Sequence, residues 1–419
     1  MEINRRFAAW AKISFGYFVL IGFLGALLRY VFIQPVPGVN YKYFLHAHSH
    51  AAFLGWIFNA LYVAIVADFI PGRHSGKRKY RLLFVLLQIS VAGMLLTFPL
   101  KGYYRDSIIF STLHVLLSYV FAIYVFRDGR TEENRNTVSF LAIKISLIFM
   151  AISSLGPFAL GVIMAKGLSD THWYNLAIYY YLHFQYNGWF VFAILGLFFR
   201  LLENRGIIFS RRKAGLFIWL MAFATVPAYA LSALWVPPPR EVFAVGFAAG
   251  AMQLGAAGMF VYLLRAIVPQ LKSAISKLAF NAILLSLLVF ILKNILQFAS
   301  AFEQVSLLAY QTRNYVIAYL HMTFIGFCSL FLTGWFIYKK WMPFDTKIAR
   351  ASLVLFFVFF AVSELILVLY PTLIMLKIAV LSNYVHWIFI ATVLMAVWLL
   401  GAFIAGFYSG SRKFKDESH

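Results

Sequence analysis

From the first turns onward the chain alternates between apolar runs of about 20 to 29 residues and short polar connections. A helix needs about 20 apolar residues to cross a bilayer. The runs predict twelve such spans, near 11–33, 43–70, 80–100, 106–126, 137–165, 173–201, 213–235, 241–267, 276–300, 314–338, 347–370 and 380–408. Helices are expected because hydrocarbon offers no partner to an unpaired backbone group. A barrel would need alternating strands of about ten residues, and runs such as Leu353 to Phe360 do not alternate. The pattern therefore predicts an all-α integral membrane protein, a single transmembrane domain over residues 1–419 with no soluble domain. Among the connections, Pro237-Pro238-Pro239 predicts a stiff turn between spans seven and eight, and Asp128 to Asn136 a charged linker.

Composition agrees, and charge adds an orientation. The chain is 63% hydrophobic and 12% charged, with mean hydropathy +0.83, too apolar to cover a soluble globule of this size. Its net charge of +22 is unevenly spread. Arg5 and Arg6, every second connection (Arg73 to Arg81, Arg127 to Arg135, Arg200 to Lys213, Arg265 to Lys277, Lys339 to Arg350) and the tail Arg412 to Lys415 hold about 26 Lys and Arg, against about 8 in the intervening connections. Basic residues mark the cytoplasmic side, so both termini are expected there, and the charge reports topology and anionic lipid rather than nucleic acid. The basic start runs into a full-length span without a small-residue cleavage site, which predicts a retained first helix. The single Cys328 excludes an internal disulfide and a cysteine-built zinc or iron–sulfur site.

Three segments inside these spans share one pattern: His50-Ala-Ala-Phe-Leu-Gly55-Trp56, His183-Phe-Gln-Tyr-Asn-Gly188-Trp189 and His321-Met-Thr-Phe-Ile-Gly326-Phe327. Each is a histidine, four residues, a glycine and an aromatic, on spans two, six and ten. The recurrence predicts a pseudo-threefold arrangement of three four-helix units, roughly 1–135, 136–272 and 273–419. Counted from the predicted outer ends of the even-numbered spans, His46, His48, His50, His114, His183, His321 and His386 lie about 5 to 16 Å deep, in one slab of the outer leaflet. Ionisable residues at that depth mark functional sites. Neutral imidazole is a ligand for haem iron or copper, and helical bundles assemble such sites from facing helices; an interhelical hydrogen bond is the other use of a membrane histidine. His46 and His50 share a helical face at i, i+4, with His48 directed away. The motif glycine leaves room for a flat macrocycle or for another helix.

Few other polar groups enter the spans. Glu364 is a carboxylate deep in span eleven, a candidate proton relay or hydrogen-bonding residue. Arg29 and Lys293 lie level with the histidines, positioned either to pair with haem propionates or to snorkel to the interface.

Twelve spans, a threefold recurrence and outer-leaflet histidines on spans two, six and ten resemble subunit I of the haem–copper oxidase and nitric oxide reductase superfamily. The stretch Leu45-His46-Ala47-His48-Ser49-His50-Ala51-Ala52-Phe53-Leu54-Gly55-Trp56 is similar to the His-x-His-x4-Gly-aromatic signature of NnrS-like proteins, haem- and copper-containing bacterial membrane proteins linked to nitric oxide stress. The resemblance implies a haem, b-type, held by His321 with His48 or His50, and a second metal, copper or non-haem, at His183 with His46, His114 or His386. It further implies a bacterial cytoplasmic membrane location, a quinol or periplasmic cytochrome as electron donor, nitric oxide as the gas ligand, and Glu364 moving protons. Two departures matter. Tyr319 stands where catalytic members carry a further haem-ligating histidine, and the stretch from Lys213 to Trp235 lacks the histidine pair of the oxidases. An oxygen-reducing centre cannot be assembled from this set, so the implied role is a nitric-oxide-linked redox or gas-binding one, with Tyr319 and Glu364 as candidate catalytic groups. Twelve spans with inside termini also resemble the facilitator-type secondary transporters, with Asp68 to Lys79 as a faint acidic-Gly-basic loop; those divide into halves, whereas this motif recurs in thirds.

Overall fold

A computed structural model describes residues 2–234 and 240–416, with side chains as far as Gly406; the predicted Pro237-Pro238-Pro239 turn lies outside the described residues, as do the side chains of the Arg412 to Lys415 tail. The described residues form helices joined by short turns and irregular connections, with no strand among them. Among the described residues, eleven helices are long and apolar enough to cross a membrane: α1 (Ile3–Tyr30), α2 (Tyr41–Phe69), α3 (Arg78–Lys101), α4 (Arg105–Asp128), α5 (Val138–Ala165), α6 (His172–Asn204), α8 (Arg240–Ala274), α9 (Lys277–Ala299), α10 (Arg313–Tyr338), α11 (Lys347–Met375) and α12 (Tyr384–Gly406). The chain is thus a multi-pass, all-α membrane protein. Large apolar side chains such as Leu96, Leu100, Ile348 and Val380 face outward, as lipid contact requires.

The predicted seventh span departs from this pattern. Its helix, α7 (Arg211–Thr225), stops after 15 residues and continues as a 3-10 turn over Pro227–Ser232. Pro227 has no N–H to give the carbonyl four residues back, so the α-helical ladder ends there although Val226 keeps helical dihedrals. Pro157 has a milder effect on α5, which is interrupted at Ser154 and resumes at Leu155. Four odd-numbered helices start on a hydroxyl cap: Thr137, Ser210, Ser276 and Thr346 accept from the backbone N–H of Phe140, Lys213, Ala279 and Ala349.

Two compact units are present, one made of residues 1–121 and 332–419, the other of residues 122–331. In the first, α1 packs on α2 through Phe18 and Trp56, stacked with ring centroids 4.9 Å apart, and on α3 through Trp10 and Phe84 at 4.5 Å. Asp68, at the end of α2, receives a 2.8 Å bond from Lys339 at the end of α10. In the second unit Phe217 of α7 stacks on Phe260 of α8 at 4.8 Å, and Glu133 pairs with Arg200. The three motif-bearing helices are the most enclosed, with 83%, 94% and 61% of their apolar windows buried for α2, α6 and α10, against 28% for α11.

Candidate functional site

The three motifs share a local structure that their residue pattern did not announce. Immediately after each motif histidine the helix widens into a π-helical stretch: Ala51–Phe58 after His50, Phe184–Phe190 after His183, and Met322–Ser329 after His321. A π turn shifts each carbonyl's partner by one residue, and such turns recur at functional sites because they re-aim side chains. Nearby side chains satisfy the displaced carbonyls. Asn59 Nδ2 donates to Gly55 O at 2.9 Å, Ser329 Oγ to Phe324 O at 2.7 Å, and Ser286 Oγ of α9 to Phe327 O at 2.9 Å. The motif glycines are approached by neighbouring helices. A Cβ at Gly55 would stand 2.9 Å from the Tyr17 ring of α1, and one at Gly188 would stand 2.7 Å from Cγ of Phe149 of α5. At these two positions the room left by glycine is taken by another helix.

In the first unit, α2 presents its histidines on two faces. His50 Nδ1 lies 2.9 Å from His46 O; a carbonyl only accepts, so Nδ1 carries the proton. In the neutral ring Nε2 is then an acceptor, reached by the Tyr103 hydroxyl at 3.3 Å. His46 and His50 pack with Tyr103 and Phe98, ring centroids 4.6 Å apart for His46–Tyr103 and 4.5 Å for His50–Phe98. His48 turns toward α1 and α12, where a Cβ at Gly25 would stand 3.3 Å from its Cε1 and 4.0 Å from Thr392. His114 of α4 is buried, 2% exposed, and edge-on to Phe58 at 4.8 Å. Its Nε2 is enclosed without a hydrogen-bond partner among the described residues. His386, in the first turn of α12, is exposed; Arg29 and Glu364 are half-buried on α1 and α11.

The second unit contains a buried polar network around His183, which is 1% exposed. Its Nε2 donates to Thr225 O at 2.8 Å, taking up the carbonyl freed where α7 breaks. Its Nδ1 accepts from Asn187 Nδ2 at 3.1 Å and from Ser232 Oγ at 3.3 Å. Both ring nitrogens are therefore engaged by protein, with the tautomer opposite to that of His50. Gln185, next along the π stretch, accepts from Ser153 at 3.1 Å and donates to the Tyr181 hydroxyl at 3.3 Å. The π stretches of α6 and α10 meet through Tyr186 and Phe324, edge-on at 5.8 Å. Tyr319, half-buried on α10, donates to Gln297 Oε1 at 3.3 Å. His321 is half-buried.

Lys293 departs from the interfacial reading. It is 1% exposed, donates to Gln297 Oε1 at 2.8 Å, and lies 5.8 Å from the centroid of the Tyr186 ring. Sequence reasoning treated it as a residue near a helix end. The missed signal was its company on one helix, Asn294 beside it and Gln297 one turn on, both buried.

Among the described residues no group of three His, Cys, Asp or Glu side chains gathers closely enough to hold a metal ion by itself. What the arrangement offers is single, oriented imidazoles: His50 with an acceptor nitrogen fixed by a backbone bond, His114 with an enclosed nitrogen, and His183 tied into hydrogen bonds. No protein-family model matches this sequence, and no curated protein matches it significantly.

Proposed function

We propose that the chain is a haem-binding protein of the bacterial cytoplasmic membrane, a divergent relative of haem–copper oxidase subunit I, with twelve membrane spans, both termini in the cytoplasm and a pseudo-threefold plan. Its role in this reading is nitric-oxide-linked, either as an oxidoreductase supplied by quinol or a periplasmic cytochrome or as a gas-binding protein. One observation carries the reading: each motif histidine is the last α-helical residue before a π-helical stretch, in the helices most enclosed by the fold.

The side chains fit a haem-iron ligand best at His50. A backbone carbonyl that holds Nδ1–H fixes the ring and raises the basicity of Nε2, the outer support that metal-bound imidazoles ordinarily have. His48 is the alternative on the same helix, and the resemblance to subunit I is what names His321 as the second ligand. A bound haem would supply redox-active iron, the chemistry through which nitric oxide would be bound or reduced. The His46 carbonyl would orient His50, whose Nε2 the Tyr103 hydroxyl would have to release to the iron, while Arg29 is a candidate for a propionate, and Glu364 and Tyr319 are candidates for holding protons. Of the histidines assigned to a second metal, His114 has an enclosed Nε2 with no partner among the described residues, whereas His183 would have to release Asn187 and Ser232 from Nδ1.

The test is an optical spectrum of detergent-purified protein, oxidised and dithionite-reduced, with and without nitric oxide. A Soret band that sharpens on reduction and moves with nitric oxide is expected. A colourless preparation from haem-replete cells would remove the proposal, and solute uptake by that protein in vesicles would favour the transporter reading.

A further inference from the structure

We infer that the interior of the second unit binds a compact inorganic monoanion at the ammonium of Lys293. The side chain lies about two turns before the end of α9 and has the length to reach the interface, yet it stays inside. An ammonium has three N–H donors, and one of them goes to Gln297 Oε1 at 2.8 Å. Its other neighbours are the face of Tyr186 and, within electrostatic range, the thiol of Cys328 and the imidazole of His183. No carboxylate pairs with it among the described residues.

The same Gln297 oxygen also accepts from the Tyr319 hydroxyl, so that acceptor is already shared. Among the described residues no further acceptor reaches the Lys293 ammonium or Gln297 Nε2, and the Oδ1 of Asn294 is enclosed without a donor. A cation taken out of water is too costly to leave uncompensated, and it is retained where an opposite charge or further acceptors complete it. An acceptor with one negative charge would complete the ammonium. It must also be small, because Lys293 is almost wholly buried and the nearby Cys328 is fully enclosed. Chloride and nitrate have that size and charge. The inference stands on Lys293, Gln297 and Tyr319 and does not depend on haem.

Thermal unfolding of the purified full-length protein in detergent tests it, with gluconate exchanged for chloride or nitrate at constant ionic strength. The wild-type midpoint should rise saturably, by about 2–4 °C. Lys293→Met should abolish the dependence. Gln297→Glu keeps the chain length, places a carboxylate beside the ammonium, and should also abolish the dependence while melting at or above the wild type in gluconate. Should Lys293→Met fail to fold, Gln297→Glu alone decides. A wild-type midpoint indifferent to the anion, as an uncharged Lys293 would give, overturns the inference, and so does an undiminished response in Gln297→Glu. The optical spectrum of Gln297→Glu should match the wild type, so this outcome is separate from that of the haem proposal.

Discussion

Replacing His183 by leucine removes three hydrogen bonds at once from a place that water does not reach: the donation to Thr225 O and the two bonds accepted by Nδ1 from Asn187 and Ser232. Hydrogen bonds in membrane helical proteins are each worth about 0.6 kcal/mol on average and up to about 1.7 kcal/mol. Leucine should therefore cost about 2–5 kcal/mol, toward the upper end because the Thr225 carbonyl is left unpaired at a helix break. Glutamine at the same position can donate through Nε2 and accept through Oε1, and should recover roughly half of the loss. Equilibrium unfolding in mixed micelles measures both variants against the wild type, alongside metal content. Wild-type stability in His183→Leu would refute the assignment of His183 to the α7 break. A glutamine variant that loses bound metal but keeps stability would instead make this histidine a ligand in its own right.

Other outcomes follow from single contacts. Gly188→Ala places a methyl 2.7 Å from Cγ of Phe149 and should destabilise the second unit by about 1–3 kcal/mol, whereas Gly215→Ala, on an open face of α7, should be neutral or slightly stabilising; parallel unfolding curves compare them. Asp68→Asn weakens the bond from Lys339 to a carboxylate 3% exposed and should cost about 1–3 kcal/mol, while Asp68→Leu combined with Lys339→Leu should cost less than Asp68→Leu alone, as a double-mutant cycle will show.

The helices were legible in the sequence for a physical reason: in hydrocarbon every backbone group must pair within its own segment, so apolar length alone marks the spans. Eleven of the twelve predicted spans are present as full-length helices, and the exception lies at Pro227, whose effect on α7 was readable but was not weighed. The opposed faces of His46/His50 and His48 also followed directly from helical spacing. The π stretches did not, because a shift of one residue in hydrogen-bond partner leaves hydropathy untouched. Neither did the burial of Lys293, which depends on what α6 and α10 place around α9 rather than on its depth along the helix. The role of His183 was hidden likewise: an imidazole that ligates a metal and one that caps a broken helix have the same residue letter, and only Thr225, Asn187 and Ser232 distinguish them.

The most direct measurement of the central claim is haem per polypeptide, by pyridine haemochrome assay, in purified wild type and in His48→Ala, His50→Ala and His321→Ala. The account predicts stoichiometric b-type haem in the wild type, lost or sharply reduced in His321→Ala and in one of the two α2 variants. Haem at wild-type level in all three variants, or absent from the wild type, would contradict it.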